Sequence, residues 1–517
     1  MGAVVALAIL LLIGGGFAAL FSAAGEGSGV ATIGPYLARV LGFSLVQAAV
    51  STLLSIALGA ALALALSRRR FPGRRWAIAA LGAASVMPAI VVVFAVVSVY
   101  GRAGWLAAGM RSVGIEPGFR IFGWPGILVA HVFLNAPFVA RVYLDALAAV
   151  PAEHWRLAQM LGLNAREIAR HIDGPVLRSE LASLASLIFL LCFTSFAIVL
   201  NLGGGSGRAT LEVAIFEALR VDLDFGRAAW LGLVQVVICT SVVVMLHRTV
   251  TRPPAGRTTR LAIPRADTAD RRMRLLDLLV LAASGFLVLP LLASVLSGLP
   301  RLPALVGADV AQAVATSLVL ATASACASCL MALALAAAAR RERLVLRRAG
   351  SAVVYDFVPA IVLAVPPFAL TAGLYLLVRR AVDPALAGYA LLPLVNALGA
   401  LPFAYRFIAP AMNTAGERYG RLSELLAIRG AAKLRIVDWP LLRRPLAAAY
   451  AMSMALSFGD FGVIALFGGA ELRTLPYLLY ERLGAYRLDE ASAIGLLLVA
   501  IAFALAYASS RWSDAGR

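Results

Sequence analysis

Apolar residues fall in long runs along this chain, separated by short stretches rich in arginine and proline. Twelve runs come close to the roughly 20 helical residues that cross a hydrocarbon core of about 30 Å. The pattern therefore predicts twelve transmembrane helices. Six lie in each half, at 3–23, 44–66, 76–99, 123–140, 182–202 and 229–246, then at 275–296, 310–338, 352–378, 387–405, 446–467 and 492–509. The first run resembles a signal peptide, but it lacks a positive n-region and further runs follow it, so we expect a retained anchor helix.

The composition agrees with a chain that lies in a lipid bilayer. Of 517 residues, 62% are apolar and 14% are charged, whereas soluble proteins have about 45–50% and about 25%. The mean hydropathy of +0.89 excludes a series of water-soluble domains, and the low charge excludes disorder. Four cysteines are too few for a secreted disulfide framework.

Basic residues exceed acidic ones by 46 to 27, but they lie in short loops and not in a basic stripe interleaved with aromatic residues. We therefore predict no binding of nucleic acid. Loops on one side carry 33 of the 46 basic residues. This asymmetry predicts a multi-pass protein of a bacterial inner membrane with both termini and the two longest loops in the cytoplasm.

An internal repeat divides the chain into two halves. The segment from Pro137 to Arg141 recurs at 402–406, and the same shift of 265 carries Asp173 onto Asp438. Further matches are Gln47 with Gln312, 87–91 with 358–362, and 195–196 with 457–458. Six spans per repeat is an even number, so both halves enter the membrane from the same side and the symmetry axis runs along its normal. We predict an all-α fold of two parallel six-helix repeats: a first half at 1–248 (core about 40–246), a cytoplasmic linker at 249–274 and a second half at 275–517 (core about 310–509).

The two long loops, 141–181 and 406–445, stand at equivalent places in the repeats. Each predicts an amphipathic helix, a break at a small residue and a second helix that stops before a proline. Such a helix either docks into a groove on a soluble partner or lies on lipid headgroups. Two copies at matched spacing favour a twofold-symmetric cytoplasmic partner. The residues concerned are Glu153, Arg156, Leu157, Ala158, Gly162, Ile172 and Pro175 in the first loop and Arg421, Leu422, Glu424, Ala427, Val437 and Pro440 in the second.

These loops resemble the EAA loops of type I ABC importer permeases, whose pattern is Glu-Ala-Ala, three residues, Gly, nine residues and Ile-x-Leu-Pro. The first loop keeps the alanine, glycine, isoleucine and proline, and the second keeps the proline. Arginine replaces the glutamate of the pattern in both loops, with Glu153 and Glu424 within a turn. The resemblance implies a homodimer of ATPase subunits at the cytoplasmic face, a periplasmic substrate-binding protein and a small-molecule substrate.

Segments at 192–200, 202–205, 210–215, 457–468 and 473–476 are similar to the thiamine transporter permeases, which are also single chains of two fused halves. This similarity implies uptake of thiamine and its phosphate esters, thiamine diphosphate included, with ATP and magnesium bound by the partner ATPase and no cofactor on this chain. Fused ferric-iron permeases share the architecture and are the alternative. An ion-coupled secondary transporter could also have six-plus-six symmetry, but it would not require the matched loops.

We identify no catalytic arrangement of residues, so the sequence predicts a translocation subunit and not an enzyme. The single lysine, Lys433, lies between alanine and leucine and cannot complete a phosphate-binding Gly-Lys-Ser/Thr motif. Ionisable groups within spans are costly and suggest function. Asp460 or Asp356, with Asn135 and Asn396 as polar neighbours, is a candidate to meet the cationic thiazolium in the substrate path. The alternative is a hydrogen bond between helices or a position at a helix end.

Overall fold

The computed structural model describes residues 2–24, 30–84, 87–118, 120–204, 208–249, 265, 271–305, 307–379, 381–428, 430–468 and 472–514. Across these residues all regular structure is helical, because long apolar runs in a bilayer satisfy their backbone hydrogen bonds within each segment. The predicted linker at 249–274 lies largely outside the described residues.

Helices α1 to α12 form the first half and α13 to α22 the second. Short π-helical turns occupy Ala169–Asp173, Arg341–Val345 and Leu434–Asp438, and a 3₁₀ segment occupies Leu299–Leu305. The α-helices are α1 Gly2–Ser22, α2 Val30–Arg68, α3 Arg74–Ala84, α4 Ala89–Tyr100, α5 Trp105–Ser112, α6 Trp124–Ala148, α7 Ala152–Met160, α8 Ala165–Ile168, α9 Gly174–Phe193, α10 Ala197–Leu202, α11 Leu211–Arg220, α12 Phe225–Thr249, α13 Arg271–Gly298, α14 Ala308–Arg340, α15 Ala349–Ala364, α16 Pro367–Val378, α17 Pro384–Leu425, α18 Gly430–Lys433, α19 Trp439–Phe458, α20 Ile464–Phe467, α21 Leu475–Gly484 and α22 Leu488–Asp514.

Ten of the described helices are long and apolar enough to cross a membrane, and the pair α15 and α16 makes an eleventh, bent by 94°. Helix α19, with 20 residues, takes the place of the remaining predicted span. Its first turns carry Arg443 and Arg444, which lower its hydropathy. The architecture is thus two helical repeats in series.

The same contacts recur in both halves, which shows that the repeat is structural. Ser44 on α2 accepts a hydrogen bond from the backbone N–H of Leu211 at 3.0 Å. Ser317 on α14 accepts one from Leu475 at 2.8 Å. Each bond ties the first core helix of a half to the start of the short helix before its last span.

Two of the weaker sequence matches are in the wrong register. Gln47 is buried and lies 2.8 Å from His131, whereas Gln312 is exposed. Pro88 precedes α4 and Pro366 precedes α16, each as the residue before a helix resumes. Pro359, the sequence match for Pro88, lies inside α15. Apolar helices tolerate small insertions, so the shift differs between elements although the fold repeats.

The first helix of each half packs on the other half. Helix α1 packs against α14 and α16, and α13 packs against α2 and α4. Small residues bring the backbones together, since a Cβ on Gly373 of α16 would strike the backbone of Gly16. On the other side, the Tyr100 hydroxyl donates to the carbonyl of Phe286 at 2.9 Å. These crossings hold the two halves together.

Candidate functional site

The first coupling loop, residues 149–173, begins where α6 ends and α7 starts after Pro151. Gly162 closes α7 with a positive φ of 62°. Its N–H reaches the carbonyl of Gln159, and the N–H of Leu163 reaches that of Ala158 at 3.0 Å. This is a glycine-terminated helix end of the Schellman type. A small separate core supports the loop and consists of Trp155, Ala158, Ile168 and Ile172.

The second coupling loop, residues 414–438, begins within α17, which runs unbroken from the membrane to Leu425. It closes in the same way, with Ala427 at a φ of 52°. The N–H of Ile428 donates to the carbonyl of Ser423 at 2.8 Å. The two loops therefore share their turn and their π-helical exit, but only the first has a break between the span and the coupling segment. Each exit continues directly into the next helix, with Pro175 and Pro440 in its first turn, so the predicted stop before the proline was wrong.

The structure places most of the predicted loop residues at the surface. Two from the first loop, Ala158 and Ile172, belong to the small core, and Val437 is half-buried. The exposed ones are Glu153, Arg156, Leu157, Gly162, Pro175, Arg421, Leu422, Glu424, Ala427 and Pro440.

Each loop also presents an apolar tip that the motif did not predict. Met160 and Leu161 are 85% and 64% exposed, and Leu425 and Leu426 are 84% and 61% exposed. The two pairs are separated by 265 residues, so they occupy equivalent positions. Exposed apolar groups beyond the ends of spanning helices are typical of a protein contact surface.

Arginine–aspartate pairs hold the end of each loop. In the second half, Arg340 at the end of α14 lies 2.8 Å from Asp438. Asp438 and Asp173 are equivalent residues and both are buried. Because removal of one partner leaves an uncompensated buried charge at a cost of roughly 3–5 kcal/mol, these pairs fix the position of the loop end.

In the first half, the ion pair at the loop end includes residues of the linker and connects to residues of the second half. Asp173 accepts from Arg265 at 2.7 Å and lies 4.0 Å from Arg68. Arg68 and Arg69 both reach Asp277 on α13 at 2.7 Å. The guanidinium of Arg265 also lies 4.6 Å from the ring centroid of Trp155, a cation–π distance. The first coupling loop is thus joined to the linker and, through Arg68, to the second half.

At the opposite end of the bundle, about one helix length from the coupling loops, the two halves meet in an aromatic cluster. Phe196 follows α9 and Phe461 follows α19, and their rings are stacked at 6.0 Å. Phe196 contacts Phe216 at 5.0 Å and Phe461 contacts Tyr480 at 4.9 Å, so each pair repeats the other. The fifth ring belongs to Phe368, near the start of α16 and just after the bend between α15 and α16. It lies 4.3 Å from Phe196.

None of the five ring residues of the aromatic cluster was predicted as a site residue, although the sequence contains a signal for them. The shift of 265 pairs Phe196 with Phe461, whereas the match of 195–196 with 457–458 was wrong by three residues. The ends of α9 and α19 decide the register, because Phe193 and Phe458 are the last residues of these helices.

The four polar residues predicted for the substrate path, Asp460, Asp356, Asn135 and Asn396, do not all lie together. The Asp460 carboxylate accepts from the N–H groups of Gly462 and Val463 at 3.1 Å and is hydrogen bonded to Asn396. Asp460 therefore adjoins the aromatic cluster through its neighbour in sequence, Phe461.

The other candidates lie in separate contacts. Asn396 donates to Ser457 at 3.1 Å, and Asn135 donates to the sulfur of Cys192 at 3.3 Å. Asp356 pairs with Arg343 at 2.5 Å and accepts from the Tyr405 hydroxyl at 2.6 Å. The structure thus brings Asn396 to Asp460 but gives Asp356 a different set of partners.

Comparison with known proteins agrees with this fold. The family of binding-protein-dependent transport system inner membrane components matches residues 55–252. The thiamine transport system permease protein ThiP of Brucella melitensis is 39% identical over 98% of this chain and 94% of its own length. That of Escherichia coli K12 is 38% identical over 91% and 88%, and that of Haemophilus influenzae is 34% identical over 97% and 94%.

The fold and the repeated loops define a membrane-spanning permease subunit of an ABC importer, a transport subunit that is not itself an enzyme. Permeases of this class work with an ATPase and a substrate-binding protein. Within the class, the chain belongs to the family of the ThiP permeases, in which both halves lie on one polypeptide.

Proposed function

We propose that this chain forms the translocation path of an ATP-driven importer of thiamine and its phosphate esters, thiamine diphosphate included. The observation that carries the substrate assignment is the 39% identity over 98% of the chain to a thiamine transport system permease. The aromatic cluster supports it, because aromatic faces attract organic cations and the thiazolium ring of thiamine is cationic. The nearby Asp460 would add a negative charge to the same region of the path.

Energy for transport would enter at the coupling loops. A homodimer of ATPase subunits would contact the apolar tips and the exposed residues of both loops, and it, not this chain, would bind ATP and magnesium. Closure of the dimer would move both loops. Since each loop end is held by a buried arginine–aspartate pair, the movement would reach α14 in one half and the linker and α13 in the other.

The arginine-rich loops support an orientation in a bacterial inner membrane in which both termini and the coupling loops face the cytoplasm. A periplasmic binding protein would then deliver the substrate at the opposite end, where the aromatic cluster would close the path between the halves. Rocking of the halves would open the cluster and close the cytoplasmic side. The chain itself would supply no chemistry.

The decisive experiment is reconstitution of the purified chain in vesicles with its ATPase and binding protein. We expect uptake of radiolabelled thiamine that requires ATP and is competed by thiamine diphosphate but not by ferric ion. Vesicles that contain the chain alone, under a proton or sodium gradient, are the control and should accumulate nothing. Accumulation driven by the gradient alone, or transport of ferric ion in place of thiamine, would contradict the proposal.

A further inference from the structure

An apolar groove of about 640 Å³ lies between α13 of the second half and α2, α3 and α6 of the first. Its volume is within the range of about 300–1,000 Å³ that is usual for small-molecule sites. Leu62 and Leu66 of α2, Leu81 of α3 and Pro137 of α6 form one wall. None of the five residues of the aromatic cluster lines this groove, so it is separate from the contact between the halves at the opposite end.

The other wall is a single stripe of α13. The stripe recurs at intervals of three and four residues, so it marks one helix face. From Arg274 to Leu291 it covers 17 steps, or about 26 Å at 1.5 Å per residue. A Cβ built on Gly285, in the middle, meets no atom within 4 Å. The groove thus follows α13 across most of a hydrocarbon core, and its α13 lining residues are the stripe of Arg274, Leu278, Leu281, Gly285, Val288 and Leu291 together with the flanking Ala282 and Ser284.

Positive charge is confined to one end of the groove. Arg69, Arg70 and Arg274 line it where α2 ends and α13 begins, on the side of the coupling loops. Asp277 pairs with Arg69. Arg70 and Arg274 are exposed, and among the contacts of the described residues neither is paired with a carboxylate. A long apolar channel with cationic groups at its cytoplasmic mouth matches the charge and shape of an anionic phospholipid.

We propose that this groove binds a phospholipid with an anionic headgroup, its phosphate at Arg70 and Arg274 and an acyl chain along the α13 stripe. The lipid contacts both halves next to the Arg68–Asp277 ion pair. It therefore fills the seam at which α13 crosses onto the first half, and it stabilises the link between the first coupling loop and the second half.

The test is a lipid-retention assay on the full-length chain in mild detergent. The protein is incubated with equal amounts of phosphatidylglycerol and phosphatidylcholine and passed over a size-exclusion column, and the retained lipids are quantified by mass spectrometry. We expect the chain to retain phosphatidylglycerol preferentially. The double variant R70Q/R274Q should lower the ratio of retained phosphatidylglycerol to phosphatidylcholine by roughly tenfold or more, because each basic residue contributes to attraction of an anionic lipid.

Two further variants separate the contribution of the lipid headgroup from that of the acyl chain. R347Q/R348Q removes two exposed arginines before α15, at the corresponding place in the other half, and should keep the preference. Gly285→Leu places a side chain in the groove and should reduce retention of both lipids while the elution volume stays unchanged. An equal loss of preference in R347Q/R348Q, no loss in R70Q/R274Q, or displacement of the lipid by saturating thiamine would overturn the proposal.

Discussion

At the scale of single residues, Asp460 is the group whose role in transport can be measured most directly. Two backbone N–H groups and Asn396 hold its carboxylate, so part of its role is to shape the turn after α19. Its charge adjoins the aromatic cluster, which is where the proposed path closes. Both carboxylate oxygens accept a backbone N–H, so loss of the turn would lower the amount of folded protein in the membrane, whereas loss of a substrate contact would lower the uptake rate at an equal membrane level.

Asp460→Asn nearly keeps the shape of the side chain and removes the charge, and it replaces one of the two oxygens that accept a backbone N–H. We expect the rate of ATP-driven thiamine uptake, measured against the concentration of loaded binding protein, to fall roughly tenfold, since hydrogen bonds to charged groups contribute about 1.5–3 kcal/mol. Asp356→Asn is the matched control. Because Asp356 pairs with Arg343 and Tyr405, this variant should leave the rate of uptake nearly unchanged. An unaltered rate and concentration dependence in Asp460→Asn, at equal membrane levels, removes this residue from the path.

At the scale of elements, the two coupling loops are alike in their turns and different in their attachment. The second is continuous with a 42-residue helix, so movement of its tip is transmitted directly to that helix. The first is separated from α6 by a break and is held by Arg265 and Asp173. Both tips expose two apolar residues. A partner surface that covers them must therefore be apolar as well.

Met160→Glu together with Leu425→Glu tests the docking surface. We expect the variant to lose copurification with the ATPase subunit and ATP-driven uptake, because a charge inserted into an apolar contact is left without a partner. Substitution of the tips tests docking more directly than substitution of Gly162. Any other residue at position 162 would be strained by the φ of 62°.

The control for this experiment is Val221→Glu with Tyr486→Glu, two exposed residues at the opposite end of the molecule, one from each half. This pair should retain the ATPase subunit. Undiminished ATPase binding by the tip variant would contradict the docking assignment.

Much of this could be predicted from the sequence, because span length, arginine position and the 265-residue shift are local or periodic signals. The turns at Gly162 and Ala427 follow from the motif. The ion pairs of Arg265 and Asp277 could not be predicted, because they join residues more than 90 positions apart in contacts that no sequence period encodes. The bend between α15 and α16 was missed since both sides of it are apolar.

At the scale of the whole molecule, the two halves are joined at both ends by different means. Near the coupling loops, α13 and the linker are held by ion pairs. At the opposite end, rings of both halves pack on Phe196 and Phe461. Aromatic packing adds little directional constraint compared with ion pairs, so the end closed by the rings is the one that can open while the other stays joined.

Phe196→Ala removes the ring that contacts Phe216, Phe368 and Phe461 and tests this assignment. A buried phenylalanine truncated to alanine costs about 3–5 kcal/mol, and here the cost falls on the conformation in which the cluster is closed. We therefore expect faster leakage of preloaded thiamine from vesicles that contain the chain. Phe189→Ala is the control, since Phe189 stacks on Phe193 within one half and should not change the leak. Phe196→Leu, which keeps most of the volume, should give an intermediate leak. If Phe196→Ala folds to normal levels and its vesicles are as tight as those of the unsubstituted chain, the cluster does not close the path.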